Sequence, residues 1–240
     1  PSSDGLILLG GRFNDDSVFR GSKANIVRST DGGSTWTMSG TEMQEVTWRV
    51  GKLAFAPSEP QRVYATISTA STLFVSHDAG GTWEPLPEFG DHARSFLLVD
   101  PANADHLWRG GSNSKLGPKM FESTTGGRAW RGFEGSETLG FDAIALNGSR
   151  PTWAYRSGAR LDELEHDAVK WCPEGENCDF SSGLLTMGED GEWHSAQCGL
   201  PVLEGYDAYF TTISQVAVHP MYPELALASI HLSFIGVDCD

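Results

Sequence analysis

The chain has 240 residues, including 28 glycines, 12 prolines and 8 tryptophans, and its 32 acidic and 17 basic side chains give a formal net charge of −15. This composition favours one turn-rich all-β domain over residues 1–240, and the charge argues against nucleic acid or an anionic membrane surface as a partner, because both would be repelled. No apolar run approaches the roughly 18–20 residues of a spanning helix, and no leader pattern opens the sequence, so we expect a mature chain without membrane insertion.

An eight-residue motif recurs along the chain. The first predicted strands lie in "DGLILLGG" and "ANIVRS", and the second runs directly into "STDGGSTW" at residues 29–36. The motif returns as "SHDAGGTW" at 76–83 and, in eroded form, as "STTGGRAW" at 123–130. A weaker fourth copy is "TMGEDGEW" at 186–193. These copies indicate an internal repeat.

The spacing of the motif gives the period of the repeat. Trp36, Trp83 and Trp130 follow one another at intervals of 47 residues, whereas the fourth copy ends 63 residues after Trp130. A fixed period of about 40–50 residues is typical of propeller blades and solenoid units. The longer last interval indicates an insertion, which we place at residues 159–182, where "RLDELEHDAVKW" has a helical pattern.

Each repeat contains the pattern of four strands. A short β-branched or aromatic run, a turn rich in proline, asparagine or aspartate and a second such run predict a hairpin. A third run ends in the motif and a fourth begins at its tryptophan, as in a propeller blade. With 240 residues and a period of 47, we predict a β-propeller of about four to five antiparallel blades, closed within the chain or completed by an assembly partner. The hairpins begin at Gly51, Ser95, Phe141 and Ser214.

The motif resembles the Asp-box, or BNR, repeat with the pattern S-x-D-x-G-x-T-W. This repeat occurs in sialidases, sortilin-type receptors, xyloglucanase-type hydrolases and photosystem II assembly factors. Two copies match at every defined position, and the blocks "FAPSEPQRVYATI" and "VAVHPMYPELALASI" resemble the last three groups more than the sialidases. The resemblance implies that the motif lies between the third and fourth strands of a blade, far from the ligand face.

The residue types of the motif suit a structural turn. A carboxylate such as Asp31 or Asp78 can accept hydrogen bonds from the backbone of its own turn, while Gly33 or Gly80 adopts a conformation that other residues avoid. The tryptophan is expected to pack between neighbouring blades. We therefore assign the motif to the fold and not to catalysis, through Ser29, Asp31, Gly33, Trp36, Ser76, Asp78, Gly80, Trp83 and Trp130.

The predicted ligand face is built from the loops between blades and those between second and third strands. These loops hold most of the carboxylates and many aromatic residues, a combination that suits a sugar or a protein surface. We expect a binding or assembly module whose partner is a glycan or a protein, without a cofactor. The candidate contacts, chosen by loop position and residue type, are Trp48, Arg49, Asp91, His92, Arg94, Tyr206, Asp207 and Tyr209.

A glycoside hydrolase is the alternative function. It requires two carboxylates about 5–10 Å apart across a cleft, and no spacing selects a pair, so the catalytic residues are unknown and the sequence does not predict an enzyme. A sialidase-like site at Arg12 with Asp15 or Asp16 lacks the other family motifs, and the chain is short for that family. The carboxylates available to a hydrolase are Glu42, Glu45, Asp91, Glu137, Glu204 and Asp207.

The cysteines favour disulfides over a metal site. The chain has no CxxC pair and no nearby histidine cluster, so we expect no zinc. Cys172 and Cys178 flank a short polar loop, which leaves Cys198 and Cys239 as a second pair; reduced, buried cysteines are the alternative. Together with the sequon "NGS" at Asn147, the disulfides predict a secreted or otherwise extracytoplasmic protein.

Overall fold

The computed structural model describes eleven segments of the chain, and within those segments every regular element but one is a strand. The exception is a short 3₁₀ helix at Thr41–Met43. Within these segments no helix has the length and apolar character needed to span a membrane. The chain forms two compact units, Pro1–Thr138 and Leu139–Asp240. The described residues are 5–13, 23–43, 50–67, 72–89, 96–110, 120–133, 143–156, 183–191, 193–195, 209–219 and 222–234.

The first unit contains three antiparallel sheets whose strands pair in chain order. Sheet 1 consists of β1 (Ile7–Phe13), β2 (Lys23–Ser29) and β3 (Thr37–Ser39). Sheet 2 consists of β4 (Val50–Ala56), β5 (Glu59–Ile67), β6 (Leu73–Ser76) and β7 (Glu84–Pro85). Sheet 3 consists of β8 (Phe96–Asp100), β9 (Asn103–Gly110), β10 (Met120–Ser123) and β11 (Arg131–Gly132).

The second unit contains two further antiparallel sheets. Sheet 4 consists of β12 (Ala143–Asn147), β13 (Arg150–Arg156), β14 (Gly183–Met187) and β15 (Trp193–Ser195). Sheet 5 consists of β16 (Tyr209–His219) and β17 (Tyr222–Phe234), and β16 packs against β12 and β13. The prediction of an all-β chain with antiparallel, four-stranded repeats is confirmed in sheets 2, 3 and 4.

The strand register follows the repeat. The serine that opens each of the first three motifs faces an equivalent residue of the preceding strand, giving the pairs Ile7↔Ser29, Val63↔Ser76 and Leu107↔Ser123. In the fourth copy the pair is Trp153↔Thr186. The motif therefore begins at the same register in four sheets, including the sheet where its sequence is weakest.

The core of the first unit lies between its sheets. Strand β5 is buried on both faces, because Val63 and Ile67 pack in a cluster with sheet 1 while Tyr64 packs in a second cluster with sheet 3. A strand covered on both sides needs apolar residues at successive positions instead of in alternation. This accounts for the continuous run "VYATI" at residues 63–67.

Candidate functional site

The first motif turn, Ser29–Trp36, is closed by its own side chains. The Asp31 carboxylate accepts the Thr35 backbone N–H at 2.9 Å and the Thr35 hydroxyl at 2.6 Å. The Ser29 hydroxyl donates to Asp31 at 2.7 Å and accepts the Gly33 N–H at 2.8 Å. The aspartate is thus fully engaged in holding the turn.

The same contacts recur in the second turn, Ser76–Trp83. The Asp78 carboxylate accepts the backbone N–H groups of Gly81 at 2.9 Å and Thr82 at 2.8 Å. Gly80 has a φ of 81°, and Ala79 is also in the left-handed region with a φ of 59°. This conformation favours glycine, which is why the motif requires it at that position.

Hydrogen bonding sets the charge state of both aspartates. The hydroxyl and backbone N–H of Thr35, followed by the Ser29 hydroxyl, lower the pKa of Asp31 from 3.8 to about 2. Burial raises the pKa of Asp78, but hydrogen bonds from Thr82 and Ser76 outweigh that effect, so the net shift is downward. Both side chains are therefore held as carboxylates and are poorly suited to act as proton donors near neutral pH.

The third turn, Ser123–Trp130, retains the geometry without the carboxylate. The Thr125 hydroxyl takes the place of the aspartate and accepts the Ala129 N–H at 2.8 Å. The Ser123 hydroxyl accepts the Gly127 N–H at 2.9 Å, as in the other two turns. In the fourth copy Asp190 instead pairs with the ring of His194 at 2.9 Å.

The motif tryptophans differ in their surroundings. Trp83 is 4% exposed and donates its indole N–H to Ser39 of sheet 1 at 3.0 Å. Trp130 is partly buried and packs against the cluster shared with sheet 2. Trp36, in contrast, is 41% exposed. Trp83 and Trp130 each pack on the sheet that precedes their own in the first unit. Trp36 belongs to sheet 1, which is the first described sheet of that unit.

The turns of sheets 2 and 3 lie at the same end of the first unit. Arg62 and Asp105 form an ion pair across the two sheets, and the Tyr64 hydroxyl donates to the Ala104 carbonyl at 3.0 Å. Arg62, Ala104 and Asp105 lie in the halves of β5 and β9 nearer the turns, and Tyr64 is one residue past the middle of β5. Since the strands are antiparallel, the first residues of β4 and β8, Val50 and Phe96, lie at the opposite end of their sheets.

A cleft of about 280 Å³ opens between sheets 2 and 3 beside these turns. Arg62 within it also pairs with Glu59 at 2.9 Å. Burial lowers the pKa of Arg62, but hydrogen bonds with Tyr64 and Asp105 outweigh this and raise it, and burial raises the pKa of Tyr64. The cleft is lined by Arg62, Tyr64, Val75, His77, Asp105, Thr125, Gly126 and Arg128.

Sheet 3 contains a chain of hydrogen-bonded polar side chains that the repeat pattern does not reveal. His106 Nδ1 lies 2.9 Å from Asp100 Oδ2, and Nε2 lies 2.7 Å from Glu122 Oε1. Arg131 Nε donates to the second oxygen of Glu122 at 2.8 Å. The side chains of Asp100 and Glu122 are only 3% and 11% exposed, so His106 links two buried carboxylates. The described residues contain no group of three or more acidic, histidine or cysteine side chains that could hold a metal.

Comparison with solved structures identifies the fold. The chain is similar to the GH74 xyloglucanase from Xanthomonas campestris, with 18% identity, a TM-score of 0.61 and coverage of 94% of this chain and 33% of that one. It is also similar to an ancestral GH74 enzyme, with 16% identity, a TM-score of 0.57 and coverage of 93% and 27%. These enzymes are β-propellers. The fold is that of propeller blades.

The comparisons extend no further than the fold. The chain spans about a third or less of the length of the two enzymes, since it covers 33% and 27% of them. A structure of YCF48 bound to D1 peptide matches 65% of this chain and 53% of that one at 12% identity, and its TM-score of 0.42 is too low to establish a shared fold. No protein-family model and no curated protein matches the chain.

The predicted ligand contacts fall largely outside the described residues. This applies to Trp48, Arg49, Asp91, His92, Arg94, Tyr206 and Asp207, while Tyr209 is the first residue of β16 and its side chain is not described. The four cysteines, the insertion at 159–182 and the carboxylates Glu45, Glu137 and Glu204 also lie outside, as do Asp15 and Asp16. Of Glu42 and Arg12 only the backbone is described.

Sequence reasoning missed the ion pair of Arg62 with Asp105 and the His106 chain. Arg62 and Asp105 are 43 residues apart and meet only because sheets 2 and 3 pack together. His106 and Glu122 lie on neighbouring strands of sheet 3 and are 16 residues apart. The contact between Asp100 and His106 is the one that the local sequence indicates, because these two residues flank the predicted turn "PANAD".

Proposed function

We propose that this chain is an Asp-box β-propeller of about four to five blades that acts as an extracytoplasmic binding or assembly module for a glycan or a protein. The hydrogen-bonded turns at Ser29, Ser76 and Ser123 support the Asp-box assignment, because serine and aspartate or threonine close each turn in the same way. These side chains stabilise the blades and leave ligand binding to the other end of the strands.

One observation carries the proposal: the turns of sheets 2 and 3 lie at the end opposite Val50 and Phe96, where β4 and β8 begin. Trp48 and Arg49 directly precede Val50, and Asp91, His92 and Arg94 shortly precede Phe96. Strands β4 and β8 are in contact. The contact between the two strands supports the proposal that one ligand binds the residues that lead into both of them.

The start of the segment that carries Asp91 and His92 is anchored. Phe89 packs edge-on against Phe121, with ring centroids 4.6 Å apart, and its ring lies 5.2 Å from the guanidinium carbon of Arg109. Arg109 is 1% exposed. Phe89, the last described residue before this segment, is therefore held by sheet 3.

The chemistry of the proposed contacts suits a sugar ring or a protein surface. Trp48, Tyr206 and Tyr209 offer flat apolar rings with a polar edge, which are favoured at binding surfaces. Asp91 and Asp207 accept hydrogen bonds from hydroxyl or amide groups, while Arg49, His92 and Arg94 donate them. This mixture distinguishes neither ligand class, so the test includes both.

The first experiment is binding of the purified chain to a broad glycan array, followed by a pull-down of protein partners. Trp48→Ala and Arg94→Ala should each weaken binding at least about tenfold, since central aromatic and arginine contacts are typical hot spots. Ser34→Ala and Arg128→Ala are the matched controls, because these exposed residues lie in the motif turns and outside the proposed ligand contacts. Equal losses in the controls would contradict the proposed ligand face.

A glycoside hydrolase is the second candidate, favoured by the likeness to GH74 enzymes over 94% and 93% of the chain. It would use two carboxylates from Glu42, Glu45, Asp91, Glu137, Glu204 and Asp207. Reducing-sugar release from a bound glycan would support the hydrolase, and binding without release would support the module. Loss of release with retained binding in a Glu→Gln or Asp→Asn variant would identify the catalytic pair.

The extracytoplasmic location rests on the cysteines. We expect Cys172 to pair with Cys178 and Cys198 with Cys239, which suits an oxidising compartment. Mass spectrometry of the protein alkylated without reduction tests this, because two disulfides leave no thiol to modify. Four alkylated cysteines would contradict both the pairing and the argument for secretion.

A further inference from the structure

Neighbouring sheets of the first unit share a repeated interface. In sheet 1, Ile7 pairs with the motif serine Ser29, and Leu8 is the next residue of β1. The side chain of Leu8 lies 2.7 Å from the position that a Cβ would occupy on Gly80, in the motif turn of sheet 2. Tyr64 holds the same register in sheet 2, and its hydroxyl lies 3.4 Å from the position that a Cβ would occupy on Gly126, in the motif turn of sheet 3. In both cases the strand that pairs with the motif serine's strand, β1 in sheet 1 and β5 in sheet 2, therefore packs against the motif turn of the next sheet.

The motif turn of sheet 1 lacks such a neighbour among the described residues. A Cβ on Gly33 would meet only Ile7 and Trp36, both from the region of sheet 1 itself, and one on Gly32 would meet nothing within 4 Å. Trp36 is 41% exposed, against 4% for Trp83 at the same motif position. We call this surface, formed by Gly32, Gly33 and Trp36, the Trp36 face.

The complementary surface is present on sheet 5. The hairpins that begin at Gly51 and Ser214 have prolines at matching positions, so Ala217 and Leu227 correspond to Ala54 and Tyr64. The register agrees, because Ala54 faces Tyr64 and Ala217 faces Leu227.

Ala54 and Tyr64 are covered by the cluster shared with sheet 3, but Leu227 is 71% exposed and Ala217 is exposed as well. We call Ala217 and Leu227 the Leu227 face.

We infer that the Leu227 face of one copy of this chain binds the Trp36 face of a second copy. The Leu227 face corresponds to the surface that sheet 2 presents to sheet 3, the Trp36 face corresponds to the surface that sheet 2 presents to sheet 1, and both are exposed in the single chain. Because the two faces differ, the contact is head-to-tail, and it yields a ring where the rotation closes and a longer assembly where it does not. This self-association goes beyond the proposed function and uses neither the candidate ligand contacts nor their end of the strands.

Charge modulates this association. Each copy carries a formal net charge of −15, so two copies repel each other at low ionic strength. The contact itself is apolar, since it joins a leucine and an alanine to a tryptophan and two glycines. Added salt should therefore strengthen the assembly, whereas an interface built on ion pairs would weaken.

The test is the mass of the full chain measured by light scattering across concentration and at two salt concentrations. Leu227→Asp should weaken association about 10- to 100-fold, because a buried leucine contributes that much to an apolar contact. Trp36→Asp should do the same from the other face. Phe55→Asp is the matched control, since Phe55 is 42% exposed and lies outside both faces.

The decisive experiment mixes the two variants. Each retains one intact face, so Leu227→Asp and Trp36→Asp should be monomers alone and should form a one-to-one dimer together. Circular dichroism verifies folding, and Leu227→Asp alone still tests the proposal where Trp36→Asp does not fold. A wild-type chain that stays monomeric at its highest soluble concentration in high salt would overturn the inference, as would unchanged association of Leu227→Asp.

Discussion

The indole N–H of Trp83 donates to the hydroxyl of Ser39 at 3.0 Å, and the same hydroxyl donates to the carbonyl of Gly80. One buried serine thereby joins sheet 1 to both the backbone and the tryptophan of the next motif turn. Neither partner is accessible to water, since Ser39 and Trp83 are each 4% exposed.

Ser39→Ala should therefore destabilise the chain by about 1–3 kcal/mol, the cost of leaving buried polar groups without partners. Urea unfolding followed by tryptophan fluorescence measures the change. Ser34→Ala is the control, because Ser34 is exposed and donates to Asp31 within its own turn; its effect should stay within about 0.5 kcal/mol. Equal effects of the two variants would show that the Ser39 contact between sheets contributes little.

Asp31 makes the stability of the fold depend on acid. Its pKa is lowered from 3.8 to about 2 in the folded chain, so its contribution is present above pH 3.8 and is lost as the pH falls towards 2. Asp31→Asn should flatten the dependence of Tm on pH in that window. The measurement is thermal unfolding by circular dichroism from pH 5 to about 2, with exposed Glu189→Gln as the reference. Parallel curves for Asp31→Asn and wild type would contradict the assignment.

The third motif turn can be strengthened by restoring the residues of the first two. In the double variant, Thr125→Asp supplies a carboxylate that accepts the backbone N–H of residue 129, and Ala129→Thr supplies a hydroxyl that donates to this carboxylate. Asp78 and Thr82 form the same two hydrogen bonds in the second turn. We expect a gain of about 0.5–1.5 kcal/mol in the free energy of unfolding, the usual net contribution of such hydrogen bonds. Thr125→Val, which removes the existing acceptor, should change stability in the opposite direction in the same urea experiment.

His106→Ala should be among the most destabilising substitutions in sheet 3. It removes the hydrogen-bond partner that the buried carboxylates of Asp100 and Glu122 share, and leaving buried polar groups without a partner costs about 1–3 kcal/mol. His194→Ala breaks an exposed pair with Asp190 and should cost about 0–1 kcal/mol. Chemical denaturation of both variants compares the two sites directly, and a similar small loss in both would mean that Arg131 alone neutralises Glu122.

The sequence predicted what is local and periodic. The 47-residue spacing of the tryptophans placed three turns and their flanking strands, because a repeated local motif produces the same turn wherever it occurs. The ligand contacts proposed at Trp48 and Arg94 stay predictions, because these residues lie outside the described segments.

Contacts between repeats were not predictable from the same pattern. Arg62 with Asp105, and His106 with Glu122, depend on how sheets or strands pack, and no short-range periodicity encodes those pairs. The exposure of Trp36 is a further example. Its motif is intact, but burial depends on a neighbouring sheet, whereas the hydrogen bonds of its turn do not.

The self-sufficiency of the motif turn also bears on the order of folding events. The hydrogen bonds that the side chains of Ser76 and Asp78 form within the turn reach at most four positions along the chain, so the turn closes a very small loop. The bond from Trp83 to Ser39 spans 44 residues and requires two finished sheets. We expect each turn to form early as an independent nucleus and the contacts between sheets to form last. Loss of one repeat's aspartate, as at Thr125, then weakens one nucleus and leaves the others intact, which explains how a repeated chain tolerates such erosion one unit at a time.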